Sequence, residues 1–295
     1  MTPENGLPVI ASFWHGSNLS WIETLCIQSF LDRGHHFVLY ASDKISGVPN
    51  GTDVRHAREI FWPAPFELKD NNLHRLQVFS NIFRLHLVKQ TGFLWVDLDA
   101  YCVKPFDFNV PNIFAPFGSN FTNRVLCLED NSPSLKAMIE FVQTPNPTKP
   151  WRGPRLHRRD AQRVEAGERW GIEALGLNCS GDPCFSHFLK QNGEDHLALP
   201  IETFYPLLSN DLWKLHSPEV LTEEIEREGV YSVHFFATQK AHIYRNLADY
   251  PPQDHIWKGY ASVIALTRRR RSFHIPTDES FSLKQLRLRH PFQRC

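Results

Sequence analysis

Gly92-Phe93-Leu94-Trp95-Val96-Asp97-Leu98-Asp99 sets four apolar residues directly ahead of two carboxylates. The apolar run reads as a buried strand, because a strand covered on both faces is hydrophobic almost without interruption. Residues two apart on an extended chain point the same way. Asp97 and Asp99 are therefore expected to face one cleft, with Leu98 turned into the core. Open α/β sheets bind ligands at the carboxyl ends of their strands. Two carboxylates there suit Mg²⁺ or Mn²⁺, hard ions that prefer oxygen and are often shared with substrate phosphates. D-x-D by itself is a weak signal, since a chain this long carries such a pair by chance. The plain alternative is a strand-end turn with solvated acids.

The flanking sequence supplies context. Residues 71–90 form a helix that Gly92 ends, and between Leu76 and Leu85 its only polar residues are Gln77, Ser80, Asn81 and Arg84. A helix apolar on most of its circumference is buried. Gln77, Asn81 and Arg84 share one stripe, which is either a solvated edge or a set of groups needing buried partners. Nearer the start, Val9-Ile10-Ala11-Ser12-Phe13-Trp14 reads as a buried strand. A helix over 19–32 follows, capped by Ser17 or Asn18, and then a strand over 36–40. Strand, helix and strand in so short a span make a βαβ unit and a parallel sheet. Further on, 107–131 suggest short strands and turns, 132–143 and 183–191 suggest helices, and 229–236 suggest a strand. Residues 144–171, rich in Pro and Arg, read as a long loop or insertion with room for a short helix.

Of 295 residues, 32 are basic and 32 acidic, so the net charge is zero, and 42% are hydrophobic. These values exclude disorder and collagen-like structure, and no basic surplus marks a nucleic-acid binder. The charge is unevenly placed. Residues 268–295 hold eight basic and two acidic residues, hence +6, which leaves −6 for 1–267. The N-terminus, Met1-Thr2-Pro3-Glu4-Asn5, lacks a basic and apolar leader, and no apolar run nears the ~20 residues of a membrane span. The six cysteines form no C-x-x-C pair and read as reduced, mostly buried thiols. A cytoplasmic protein is expected.

Ser80-Asn81-Ile82-Phe83-Arg84, then Gly92 to Asp99, then Lys104-Pro105 resemble the pattern S-D-x-x-R…G-G-x-Y-x-D-x-D…K-P. That pattern belongs to glycosyltransferases with a DXD sugar-binding region, the glycosyltransferase family 32 type. Phe13-Trp14-His15-Gly16, Ser180-Gly181 with Pro183, and Val233-His234-Phe235-Phe236 are similar to further elements of the family. The resemblance implies a GT-A-like, Rossmann-type mixed sheet flanked by helices. It implies one catalytic domain, 1–267, with a basic extension, 268–295. It also implies metal-dependent transfer of a sugar from a nucleotide-diphosphate sugar to a glycan or lipid-linked acceptor in polysaccharide biosynthesis, with retention. By the same resemblance, Asp97 contacts the donor sugar or ribose. Asp99 coordinates Mn²⁺ or Mg²⁺, with Asp97 and His234 beside it. Arg84 and Asn81 bond the sugar. Trp14, with His15 and Gly181, lines the donor site. Two departures stand out: the family's Asp is Asn81 here, and its G-G-x-Y is Gly92-Phe93-Leu94-Trp95, with one Gly lost and Trp95 in place of Tyr; Asp182 also interrupts the T-G-P element.

Plainer alternatives apply to several of these residues. Trp14 and His234 also fit a packed core. His15 has no partner that the sequence names. His35 and His36 read as loop residues before a strand, and Asp43 reads as a solvated loop acid or a ribose ligand. Arg155, Arg158 and Arg159 suit either a lid over phosphates or a solvated basic loop. Two other functions remain open. One is a catalytically impaired nucleotide-sugar binder, suggested by Asn81. The other is a nucleotidyltransferase, against which residues 8–18 offer only one glycine. The basic tail, interleaved with Phe273, Phe281, Leu283, Leu286, Leu288 and Phe292, would suit peripheral contact with the inner face of a membrane.

Overall fold

In a computed structural model, the described residues are 6–68, 72–176, 179–208, 211, 225 and 227–236. The chain divides into two units, Met1–Asn246 and Leu247–Cys295, and every described residue falls in the first. The expected boundary at 267/268 and the basic tail lie outside the described residues.

The predicted βαβ unit is present as β1 (Ile10–Trp14), α1 (Trp21–Asp32) and β2 (Phe37–Ala41). β1 and β2 pair in parallel, from Ile10 with Phe37 to Trp14 with Ala41. The helix starts later than expected. Its cap is Ser20, whose backbone N–H donates to the Glu23 carboxylate at 2.8 Å, rather than Ser17 or Asn18. Glu23 sits at the third helical position, where it reaches back to the cap, and neither Ser17 nor Asn18 has an acid so placed.

β3 (Asp53–His56) extends the sheet beyond β2, again in parallel. Next comes α2 (Leu73–Thr91), the buried helix expected at 71–90. The Asn72 side chain caps it, and Gly92 ends it at φ 65°. β4 (Leu94–Val96) then runs parallel to β1. After β5 (Ala100–Cys102), the strands β6 (Ile113–Phe117) and β7 (Asn120–Cys127) form an antiparallel hairpin. Its two-residue loop begins at Gly118, whose φ of 61° suits a primed turn. β7 pairs antiparallel with β4. The sheet is therefore six-stranded and mixed, in the order β3-β2-β1-β4-β7-β6.

Helices flank it. α2 packs with α3 (Pro133–Gln143) and α5 (Asp182–Asn192) around one core. To it β1 contributes Ala11 and Phe13, α2 contributes Phe79 and Phe83, and α5 contributes Phe185 and Phe188. Alternation along β1 and β2 sends Ile10, Phe37 and Leu39 to the other face, where Phe30 of α1 lies 5.8 Å from Phe37. Each fully buried Phe contributes about 1.5–3 kcal/mol by transfer out of water. This mixed sheet flanked by helices is consistent with a GT-A-like fold.

Residues 144–171 carry a regular helix, α4 (Pro154–Glu165), inside the expected loop. Pro154 begins it, since its missing N–H costs nothing in the first turn. A small second sheet joins β5 to β8 (Ser232–His234), antiparallel, with Ala100 opposite His234.

Among the described residues no helix is long and apolar enough to cross a membrane. Five of the six cysteines are described, all as free thiols, four of them buried. His35 lies in the loop before β2, as expected, and is buried there. It is 3% exposed, Nδ1 contacts Pro8 O at 3.1 Å, and Nε2 accepts the Phe106 N–H at 2.9 Å.

Candidate active site

The parallel strands β1, β2 and β4 end side by side, and the DXD sequence starts where β4 stops. The chain does not stay extended there. Ala100 N–H donates to Asp97 O at 3.0 Å, so residues 97–100 turn. The convergence of the two carboxylates therefore comes from a tight turn rather than from strand alternation. β8 closes on that turn. Phe235 N–H donates to Asp99 O at 2.8 Å, which brings His234 against the acids. His234 Nε2 lies 3.3 Å from Asp99 Oδ1 and 4.0 Å from Asp97 Oδ2. One ligand atom from each of Asp97, Asp99 and His234 falls within 4.8 Å of the others. His234 and Asp99 are buried, and Asp97 is partly open.

The donor set can be tested against a divalent cation. Two carboxylates offer the hard oxygens that Mg²⁺ and Mn²⁺ prefer, so these residues fit such an ion. His234 is held differently. Its Nδ1 accepts the Phe236 N–H at 3.1 Å, so the neutral ring carries its hydrogen on Nε2, toward the carboxylates. A histidine so arranged turns its N–H toward Asp99, 3.3 Å away, whereas a metal-bound histidine donates through its other nitrogen.

Arg84 settles the question of the α2 stripe. Gln77 is exposed, but Arg84 is 5% exposed and fully engaged. Its Nη2 lies 3.1 Å from Asp97 Oδ1, and its Nη1 donates to Asn123 O at 2.6 Å and to Asn123 Oδ1 at 3.1 Å. The guanidinium stacks on Trp95 at 4.7 Å, and Trp95 Nε1 donates to the same Asp97 Oδ1 at 2.9 Å. Burial lowers the Arg84 pKa, and the neighbouring Asp97 works against that shift. Two donors thus hold Oδ1 of Asp97, and Oδ2 faces His234.

Asn81 stands one helical turn before Arg84. Its Nδ2 donates to Ser180 Oγ at 3.3 Å, and its Oδ1 accepts from Asn123 Nδ2 at 3.4 Å. Gly181 lies beside it; a Cβ there would stand 3.6 Å from Asn81 Nδ2, an ordinary contact.

Trp14 and His15 leave the carboxyl end of β1. Trp14 Nε1 is buried with no hydrogen-bond partner among the described residues. Gly16, at φ 128°, passes close beneath it. His15 Nδ1 meets Ser42 Oγ at 2.7 Å, and that hydroxyl donates to Asp43 at 2.9 Å. His15 therefore has partners after β2 that its sequence position did not disclose.

All the site residues expected from the sequence thus lie at or beside the carboxyl edge of the sheet. Arg155, Arg158 and Arg159 do not join them. They line a surface hollow on α4 with Leu156 and Gln162. Three residues near the site escaped sequence reasoning: Asn123 and Arg124 on β7, and Tyr205. None sits in a motif, and each arrives from a distant part of the chain. Asp182 was visible only as an interruption of a pattern.

No protein-family model matches the chain. No curated protein matches it either. Among solved structures, one titled PaToxG Glycosyltransferase is similar, with a TM-score of 0.41 and 15% identity over 81% of this chain and 85% of that chain.

Proposed function

We propose that this chain is a glycosyltransferase that binds a nucleotide-diphosphate sugar together with Mn²⁺ or Mg²⁺ and passes the sugar, with retention, to a glycan or lipid-linked acceptor. One observation carries the reading. At the carboxyl end of a parallel strand, Asp97 and Asp99 converge with His234, and a buried arginine is paired to Asp97.

Asp99 and Asp97 Oδ2 are the oxygens that would hold the cation. With a divalent cation bound, these two carboxylates would place positive charge where the departing diphosphate becomes more negative. His234 Nε2 sits 3.3 Å from Asp99 Oδ1, where its N–H would steady that carboxylate. Arg84 and Trp95 fix the rotamer of Asp97, so that one oxygen is committed to the protein and the other to the ligand. Trp14 offers an aromatic ring and an unpartnered N–H to the nucleotide, beside the close backbone of Gly16.

Calorimetry of nucleotide sugars with and without Mn²⁺ tests this. Asp99→Asn should abolish Mn²⁺-dependent binding, while His234→Gln, which keeps an N–H donor, should retain it. Arg84→Ala should remove sugar transfer and spare binding of the free nucleotide diphosphate. Donor affinity independent of metal in the unaltered protein would overturn the reading.

The alternative, an impaired nucleotide-sugar binder, draws on Asn81. Both ends of that amide are engaged, by Ser180 and Asn123, which favours a residue suited to this site over the remnant of a lost acid.

A further inference from the structure

Beside the acids lies a second charged pair. Arg124 on β7 reaches across to Asp182 in the first turn of α5, with Nη2 3.0 Å from Oδ2. The contact is single-pointed. Phe117 and Phe236 cover the guanidinium at 4.9 and 5.7 Å, and Arg124 Nη1 is buried with no hydrogen-bond partner among the described residues. Asp182 Oδ2 is the oxygen that Arg124 holds. The carboxylate is about a fifth exposed, so it can be reached from outside.

The pair borders the proposed centre. Asp97 N–H donates to Arg124 O at 2.8 Å, and Gly181, next to Asp182 in the chain, lies beside Asn81. Tyr205 packs between the two, its ring 5.7 Å from His234 and 5.3 Å from Phe117. It is 2% exposed, and its hydroxyl has no hydrogen-bond partner among the described residues. Thr122 is a neighbour, yet no hydrogen bond of normal geometry joins the two hydroxyls. An unpaired buried hydroxyl is costly, and such groups concentrate where a ligand or an ordered water completes the set. Asn81 is neutral and occupied at both ends. Asp97 is committed to Arg84, Trp95 and the proposed cation, which leaves Asp182 as the neighbouring carboxylate that can accept from a sugar.

We infer that Asp182 reads a hydroxyl of the donor sugar, and that Arg124 is its positioning residue. A carboxylate at the start of a helix keeps its charge favourably. A guanidinium holding one of its oxygens aims the other at the ligand. A hydroxyl donating to a carboxylate is a charge-assisted bond, and loss of one weakens binding about tenfold or more. The inference rests on the glycosyltransferase reading and assigns sugar preference within it.

The experiment uses the full chain with Mn²⁺. UDP-glucose, UDP-galactose, UDP-N-acetylglucosamine and GDP-mannose are compared with free UDP and GDP by calorimetry. Asp182→Asn should weaken the preferred nucleotide sugar about tenfold or more and leave the free nucleotide unchanged. Arg124→Gln, the second variant, should act in the same direction. Deoxy analogues of that sugar supply a readout that a structural role would not move. Removing the hydroxyl that Asp182 reads should weaken binding to the unaltered protein and cost nothing further in Asp182→Asn. Equal loss of nucleotide and nucleotide sugar, or unchanged sugar binding, overturns the inference. An unaltered protein that binds no nucleotide sugar overturns the glycosyltransferase reading and this inference with it.

Discussion

Position 81 shows how one atom alters a site. An aspartate there would replace the Nδ2–H that donates to Ser180 with an acceptor, and it would place a third carboxylate near Asp97 and Asp182. Asn81→Asp is therefore expected to give no large gain in turnover; a large gain would favour the impaired binder. Histidines at the same scale predict the response to acid. His35, His86 and His187 all have pKa values pushed below the ordinary 6.5, mainly by burial. In the unfolded chain these rings take up protons as the pH falls through 6.5, whereas in the folded chain they resist. Acid thus favours unfolding, so stability is full above 6.5 and declines below it until the folded rings protonate too. Urea unfolding at about pH 7.5 and about pH 5.5 should show the drop. His86→Phe, which keeps a ring stacked on Phe61 at 4.3 Å, should soften it. An unchanged slope would assign the effect to other groups.

Among the elements, α2 and its ending position the most chemistry. The helix carries Asn81 and Arg84, and its stop sets where β4 begins. Gly92 ends it in the left-handed region, with nothing within 4 Å of a Cβ built there. The cost of a side chain is therefore backbone strain alone. Gly92→Ala should destabilise by about 1 kcal/mol, and Gly92→Asn by less, since Asn tolerates that conformation. Thermal or urea unfolding checks both, and equal loss in the two variants would point to some cause other than strain. β8 has the complementary role. Its three residues clamp the DXD turn through β5, and His234 is carried in with them.

For the whole molecule, the charge division is the broadest feature. Residues 1–267 carry −6 and the last 28 residues +6. The acidic part includes the acids at the proposed metal site, whose partners would be a cation and a substrate neutralised by it. The basic segment, 268–295, mixes Arg and Lys with Phe and Leu, as a contact for anionic lipid would. Deleting 268–295 should reduce co-sedimentation with anionic vesicles and leave nucleotide-sugar affinity unchanged. Unchanged vesicle binding would remove the membrane role.

Much of the architecture was legible in the residues themselves. Apolar runs ending at Trp14, Tyr40 and Val96, the helix ended by Gly92, and the D-x-D after β4 are local features, governed by periodicity and backbone preference. They were enough to determine the parallel sheet and to point to its carboxyl edge. The tertiary structure alone decided which groups meet there. His234 reaches Asp99 because β8 pairs with β5, and Asn123 and Arg124 face α2 and α5 because β7 runs antiparallel beside β4. Asp182 is charged against Arg124 across 58 positions of sequence. Side-chain pairing over such separations depends on how strands and helices pack. It leaves no periodic trace in the chain, so residue patterns could name the acids and a family resemblance could set Arg84 and His234 near them, but only the fold could show the contacts and add Asn123 and Arg124.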